Sequence, residues 1–118
     1  MSLCIALGGK VVVLAVSAFT LSWTHSVEKT EWAEAWAVTG AGLVVAEARV
    51  EGSGAGVDPP EGAVFDGSGW VWRPASSPQA RVVLADSGTT RPWTLCTASG
   101  CIALGAGGGA PVVLSVCR

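Results

Sequence analysis

Tyrosine is absent from this 118-residue chain, histidine and methionine occur once each, and only 14% of the residues are charged. Seven basic residues stand against nine acidic ones, for a formal charge of -2. No basic cluster forms anywhere along the chain, so the electrostatic footprint of a nucleic-acid-binding protein is missing. A membrane helix needs about 20 apolar residues in a row, and the apolar stretch Val11 to Leu21 is too short to be one. There is no Gly-x-Ser-x-Gly nucleophile elbow and no close Cys-x-x-Cys knuckle of a zinc site. What is plentiful is apolar: half the residues are hydrophobic, with 16 glycines and six tryptophans. That composition excludes disorder, and the length corresponds to one domain over residues 1–118.

Val11 to Leu21 follows Lys10 and carries Val16-Ser17-Ala18, a small-residue pattern that a signal peptidase accepts. Cleavage there would discard Cys4 and leave three cysteines. The segment also runs without a break into strand-like alternation, so it reads as a buried strand. With neither a leader nor a membrane span convincing, a cytoplasmic or membrane-peripheral location is favoured over the periplasm.

Period-two alternation carries the fold. Phe19, Leu21, Trp23, His25 and Val27 fall on one face, with Thr20, Ser22, Thr24, Ser26 and Glu28 on the other. From Glu31 to Val38, Trp32 and Trp36 would also suit one helical turn. The stop at Gly40-Ala41-Gly42 and the valine-rich run after it favour a strand and a hairpin. In the partner strand, Leu43, Val45, Glu47 and Arg49 oppose Val44, Ala46, Ala48 and Val50. Gly52 to Gly56 and Asp58-Pro59-Pro60 interrupt all periodicity. Turns follow at Asp66-Gly67-Ser68-Gly69, Asp86-Ser87-Gly88 and Thr97-Ala98-Ser99-Gly100. Short strands are expected at Trp70–Arg73, Arg81–Ala85, Trp93–Cys96, Cys101–Leu104 and Val112–Cys117, with a flexible Gly105 to Pro111 between the last two. The pattern predicts an all-β fold, an antiparallel β-sandwich or small open barrel.

Chemistry-bearing residues concentrate at His25, Ser26 and Glu28, with Glu34 nearby. On a strand His25 and Ser26 point to opposite faces, which disfavours a nucleophilic dyad. A small hydrolase or metal-dependent enzyme using His25 and the nearby carboxylates is the alternative reading. The polar groups of this stretch need partners. Arg49 and the Gly52–Gly56 loop could supply them internally. A small-molecule solute could do so instead, with Gly54 and Gly56 permitting close approach and Trp23 or Trp36 forming an apolar wall. The glycine loop lacks the lysine and following helix of a phosphate cradle, and no cofactor is indicated. Cys96 and Cys101 flank a short turn and are expected close together, as a disulfide or as free thiols.

The block Phe19-Thr20-Leu21-Ser22-Trp23-Thr24-His25-Ser26-Val27-Glu28-Lys29-Thr30, with Trp32, Glu34 and Trp36, resembles the bacterial domain of unknown function 1850 family. Gly52 to Gly56 with Pro59-Pro60, Leu84-Ala85-Asp86-Ser87-Gly88 and Trp93-Thr94-Leu95-Cys96 match its later blocks in order. Val57 departs from it, standing where the family pattern carries methionine. The resemblance implies an accessory or binding role beside a TAXI-type TRAP solute transporter. A structural adaptor contacting that transporter through tryptophan-rich strands is the other reading it leaves open.

Overall fold

The computed structural model describes residues 1–24, 30–52, 60–84, 93–105 and 111–117. Eleven strands occur in them and no helix: β1 (Ser2–Leu7), β2 (Lys10–Leu14), β3 (Ala18–Thr24), β4 (Glu31–Thr39), β5 (Gly42–Glu51), β6 (Val64–Phe65), β7 (Gly69–Trp72), β8 (Arg81–Leu84), β9 (Trp93–Thr97), β10 (Gly100–Leu104) and β11 (Val112–Cys117). They form two antiparallel sheets, ordered β2-β1-β11-β8 and β10-β9-β3-β4-β5-β7-β6. Packed face to face and not closed into a barrel, the sheets make a β-sandwich, as the alternation predicts.

Leucine and valine fill the space between the layers. Leu3, Ile5, Leu84, Val112 and Leu114 of the smaller sheet meet Phe19, Leu21, Val38, Leu43, Leu95 and Leu104 of the larger, all nearly inaccessible to water. Trp36 belongs to the same cluster and lies parallel to Phe19, its partner across β3 and β4, with ring centroids 6.2 Å apart.

Two details of the sequence reading need correction. Val11 to Leu21 is not one buried strand. It splits into β2 and β3 in different sheets, joined by a corner in which the Val16 N–H donates to the Leu14 carbonyl (2.9 Å) and the Val38 N–H to the Ser17 carbonyl (2.8 Å). Val11 and Val13 are exposed. The simple alternation assigned to β5 also fails. Ala35 pairs with Glu47 but Trp36 with Val45, so Ala46 is an extra, unpaired residue, a β-bulge. The bulge shifts the phase: Leu43 and Val45 face the core before it, Ala48 and Val50 after it.

The connection that leads into β8 also pairs with the larger sheet through the backbone. Leu43 and Gln79 exchange N–H···O=C bonds of 2.8 and 2.9 Å. Beside them Gly42 has φ +137°, and a Cβ there would lie 2.7 Å from the Gln79 carbonyl oxygen. Only glycine fits that approach.

Candidate functional site

Strand register sets the site. Trp23 lies opposite Trp32, Trp32 opposite Val50 and Val50 opposite Trp70. One row further along, Leu21, Glu34, Ala48 and Trp72 line up in the same way. Leu21 also pairs with Leu95, and since side chains alternate along a strand, Trp93 shares this face. All six tryptophans therefore project from one side of the seven-stranded sheet, the side that faces the smaller sheet. Trp36 is buried beneath that sheet, whereas Trp23, Trp32, Trp70, Trp72 and Trp93 are half-buried.

The rings touch in sequence. The Trp23 and Trp93 centroids are 4.7 Å apart and tilted by 49°. Trp23 and Trp32 lie nearly parallel at 6.3 Å. Trp32 meets Trp72 edge-on at 6.3 Å, a contact across β5 that the small Ala48 leaves open. Beyond them Trp70 packs on Phe65 at 5.4 Å. Its buried indole Nε1 has no acceptor among the described residues.

Glu34 is the only ionisable side chain that this face carries among the described residues. It stands between Trp32 and Trp36 on β4, half-buried, and its Oε1 accepts a hydrogen bond from Trp36 Nε1 at 3.2 Å. Burial pushes its carboxyl above the usual range, and the indole donor offsets this only in part. A carboxylate held out of water beside electron-rich rings favours one kind of neighbour, a cation, because the charge and the ring quadrupoles attract it together.

Glu34, Trp23 and Trp36 thus share one face, although Trp36 is a core residue and not an exposed wall. Arg49 does not join them. It pairs with Ala33, one position off the Glu34 row, so it points to the opposite side of the sheet. There it forms an ion pair with Asp66, with a second contact of 3.3 Å from Nη2 to Asp66 Oδ1 and a bond to the Ser68 hydroxyl. Asp66 closes the turn before β7 by accepting the Ser68 and Gly69 N–H groups, both at 3.0 Å. The Arg49 guanidinium first, then those N–H groups, hold its carboxyl well below the usual range. The sequence revealed the turn but not its partner, because Arg49 and Asp66 are 17 residues apart.

An open cleft of about 920 Å³ lies on that opposite side, lined by Glu47, Arg49, Glu61, Asp66 and Arg73 among others. Its charges are of both signs and its central pair is mutually satisfied, so it presents no single chemistry to a ligand. His25, Ser26, Glu28, Gly54 and Gly56 lie outside the described residues, as do the turn at 86–88 and most of the segment 105–111.

Cys96 and Cys101 are directly opposed on β9 and β10 and form a disulfide with Cα atoms 4.0 Å apart. A second disulfide, Cys4–Cys117, joins β1 to β11 with a Cα separation of 5.8 Å. Its partners are 113 residues apart in sequence, and no local signal pairs them.

The model of the family described as "Domain of unknown function (DUF1850)" matches residues 19–104. The chain belongs to the DUF1850 family. The matched stretch holds β8 and all of the seven-stranded sheet except Ala18, and so every tryptophan and Glu34; β1, β2 and β11 fall outside it. Neither the curated proteins nor the solved structures contain a match to the chain.

Proposed function

We propose that this DUF1850 chain is a non-enzymatic binding module for a small organic solute carrying a cationic group, acting as an accessory to a TAXI-type TRAP transporter. The observation that carries the binding reading is Glu34: a half-buried carboxylate among tryptophans. A ligand ammonium or guanidinium would neutralise it while resting on the faces of Trp32 and Trp72, and Trp23 and Trp93 would cover the apolar body. Cation–π contacts of this kind contribute about 0.5–2 kcal/mol each, more as water is excluded. His25, Ser26 and Glu28 are included in the proposed site because they lie in the connection between the strands that bear Trp23 and Trp32. Gly54 and Gly56 are included because glycine, lacking a Cβ, tolerates close approach of a ligand. The transporter partnership is supported by the family resemblance of the Phe19–Thr30 block.

Thermal unfolding against a panel of cationic, neutral and anionic solutes tests the binding reading. Saturating cationic solute, at about 100 times its Kd, stabilises the protein by roughly 2.7 kcal/mol. Neutral and anionic solutes give no shift, and Glu34→Gln abolishes the response. Stabilisation by anionic solutes, or a cation response that Glu34→Gln leaves intact, would overturn it.

A further inference from the structure

The two disulfides close very different lengths of chain. Cys4–Cys117 joins the first and last strands, 113 residues apart, and both of its cysteines are half-buried. Cys96 and Cys101 are only 5 residues apart and are already directly opposed by the β9–β10 register. Cys101 is exposed. A bridge over so short a span removes little freedom from the unfolded chain, and the fold holds this hairpin by other means. β9 pairs with β3 at Thr94, Leu95 and Cys96, while Leu95 and Leu104, one from each strand of the hairpin, are buried in the core. With the bond open, the hairpin therefore stays in place and keeps the two thiols side by side.

The surroundings leave the bond open to attack. Leu95 faces the core, so Cys96 at the next position faces the outer side of the larger sheet. There Cys96 lies beside Thr20, and Thr20 beside Ala35. With Ala18 and Ala98, these small side chains leave a shallow depression of about 250 Å³ against Cys96. The Cα atoms of the bridge are 4.0 Å apart, closer than the roughly 4.5 Å of the tighter kind of unlinked antiparallel pair. Cleavage lets the strands settle to their ordinary spacing. Exposed bridges of this kind are the ones that exchange with other thiols.

We propose that Cys96–Cys101 is a thiol–disulfide exchange site that takes a dithiol, while Cys4–Cys117 stays closed as a structural brace. A thiolate of the dithiol attacks Cys101 Sγ. The S–S bond breaks, and Cys96 Sγ leaves with its electron pair and takes up a proton. The second thiol of the dithiol then attacks its own sulfur in the mixed disulfide and releases Cys101, which takes up a proton in turn. The dithiol ends as a disulfide, and two electrons with two protons reside on Cys96 and Cys101. The turn between them is fixed by the Ser99 N–H donating to Thr97 Oγ1 at 3.1 Å and by the positive φ of Gly100. It holds the product thiols together, so an oxidising disulfide reverses the exchange without unfolding.

Treatment of the full chain with dithiothreitol, quenched by alkylation and read by peptide mass spectrometry, tests the proposal. Cys96 and Cys101 are expected to be alkylated about tenfold sooner than Cys4 and Cys117, with circular dichroism unchanged at that stage. Oxidised glutathione then restores the bond through repeated cycles. Single-thiol variants report the point of attack: Cys101 in Cys96→Ser forms a mixed disulfide with oxidised glutathione faster than Cys96 does in Cys101→Ser. Both bonds opening together, or Cys96–Cys101 opening only as the protein unfolds, would overturn the proposal. So would equal rates in the two variants, or a reduced pair that oxidised glutathione fails to close.

Discussion

Glu34 concentrates the physical tension of the molecule in one side chain. Because burial raises its folded-state pKa, folding is least disfavoured below the unfolded value, where the group is protonated in both states. Stability falls as pH rises from there through the raised folded pKa, and the loss persists at neutral pH. Glu34→Gln keeps an acceptor for Trp36 Nε1 and removes the charge. It is expected to raise Tm at pH 7, by on the order of 2 °C given solvent screening at a half-exposed site, and to leave Tm unchanged well below pH 4.5. Scanning calorimetry of the two proteins at both pH values checks this; a lowered Tm at pH 7 would show the carboxylate to be structurally stabilising. A residue that costs stability and would serve a ligand fits the usual trade-off at binding sites. Glu34 was legible in the sequence as a carboxylate amid tryptophans. Arg49 was not correctly placed, because which side it faces depends on the cross-strand register and not on its neighbours in the chain.

At the level of elements, alternation recovers most strands. The Phe19–Leu21–Trp23 face, the β4–β5 hairpin and the β9–β10 hairpin all follow from period two and turn residues. Two errors have physical causes. A run of apolar residues from Val11 to Leu21 hides the corner at residues 15–17, since both flanking strands are apolar on that stretch. In β5 the unpaired Ala46 breaks the alternation that the sequence alone shows. Deleting Ala46 is expected to be tolerated, because Val45, Glu47 and Ala48 would then alternate regularly and keep their partners; the change in stability should stay within about 1 kcal/mol. Deleting Ala48 instead turns Arg49 toward the core and Val50 outward, and burying that unpaired charge costs about 3–5 kcal/mol. Urea unfolding of the two deletions separates them. Equal destabilisation would show that the bulge is not the source of the phase shift.

Across the whole molecule, the two sheets depend on contacts between chain segments far apart in sequence. The smaller sheet joins β1 and β2 to β8 and β11, and the Cys4–Cys117 bond ties its first and last strands. In the chain-entropy account a loop of this length stabilises by about 4–5 kcal/mol, against about 2 kcal/mol for the short Cys96–Cys101 loop. Cys4→Ser with Cys117→Ser is therefore expected to lower the urea midpoint at least twice as far as Cys96→Ser with Cys101→Ser. Equal shifts would mean that native-state packing, not chain closure, sets the contribution.

The central claim is that the tryptophan face with Glu34 takes a cationic solute, and tryptophan emission reads that face directly because all six indoles lie on it. The decisive measurement is a fluorescence titration with a quaternary ammonium solute. It would compare the parent, Glu34→Gln and, as a control on the opposite side of the sheet, Glu47→Gln. The account predicts saturable quenching in the parent and Glu47→Gln, and at least a tenfold weaker response in Glu34→Gln. Equal quenching in all three proteins, or none in the parent with any cationic solute of the panel, would contradict it.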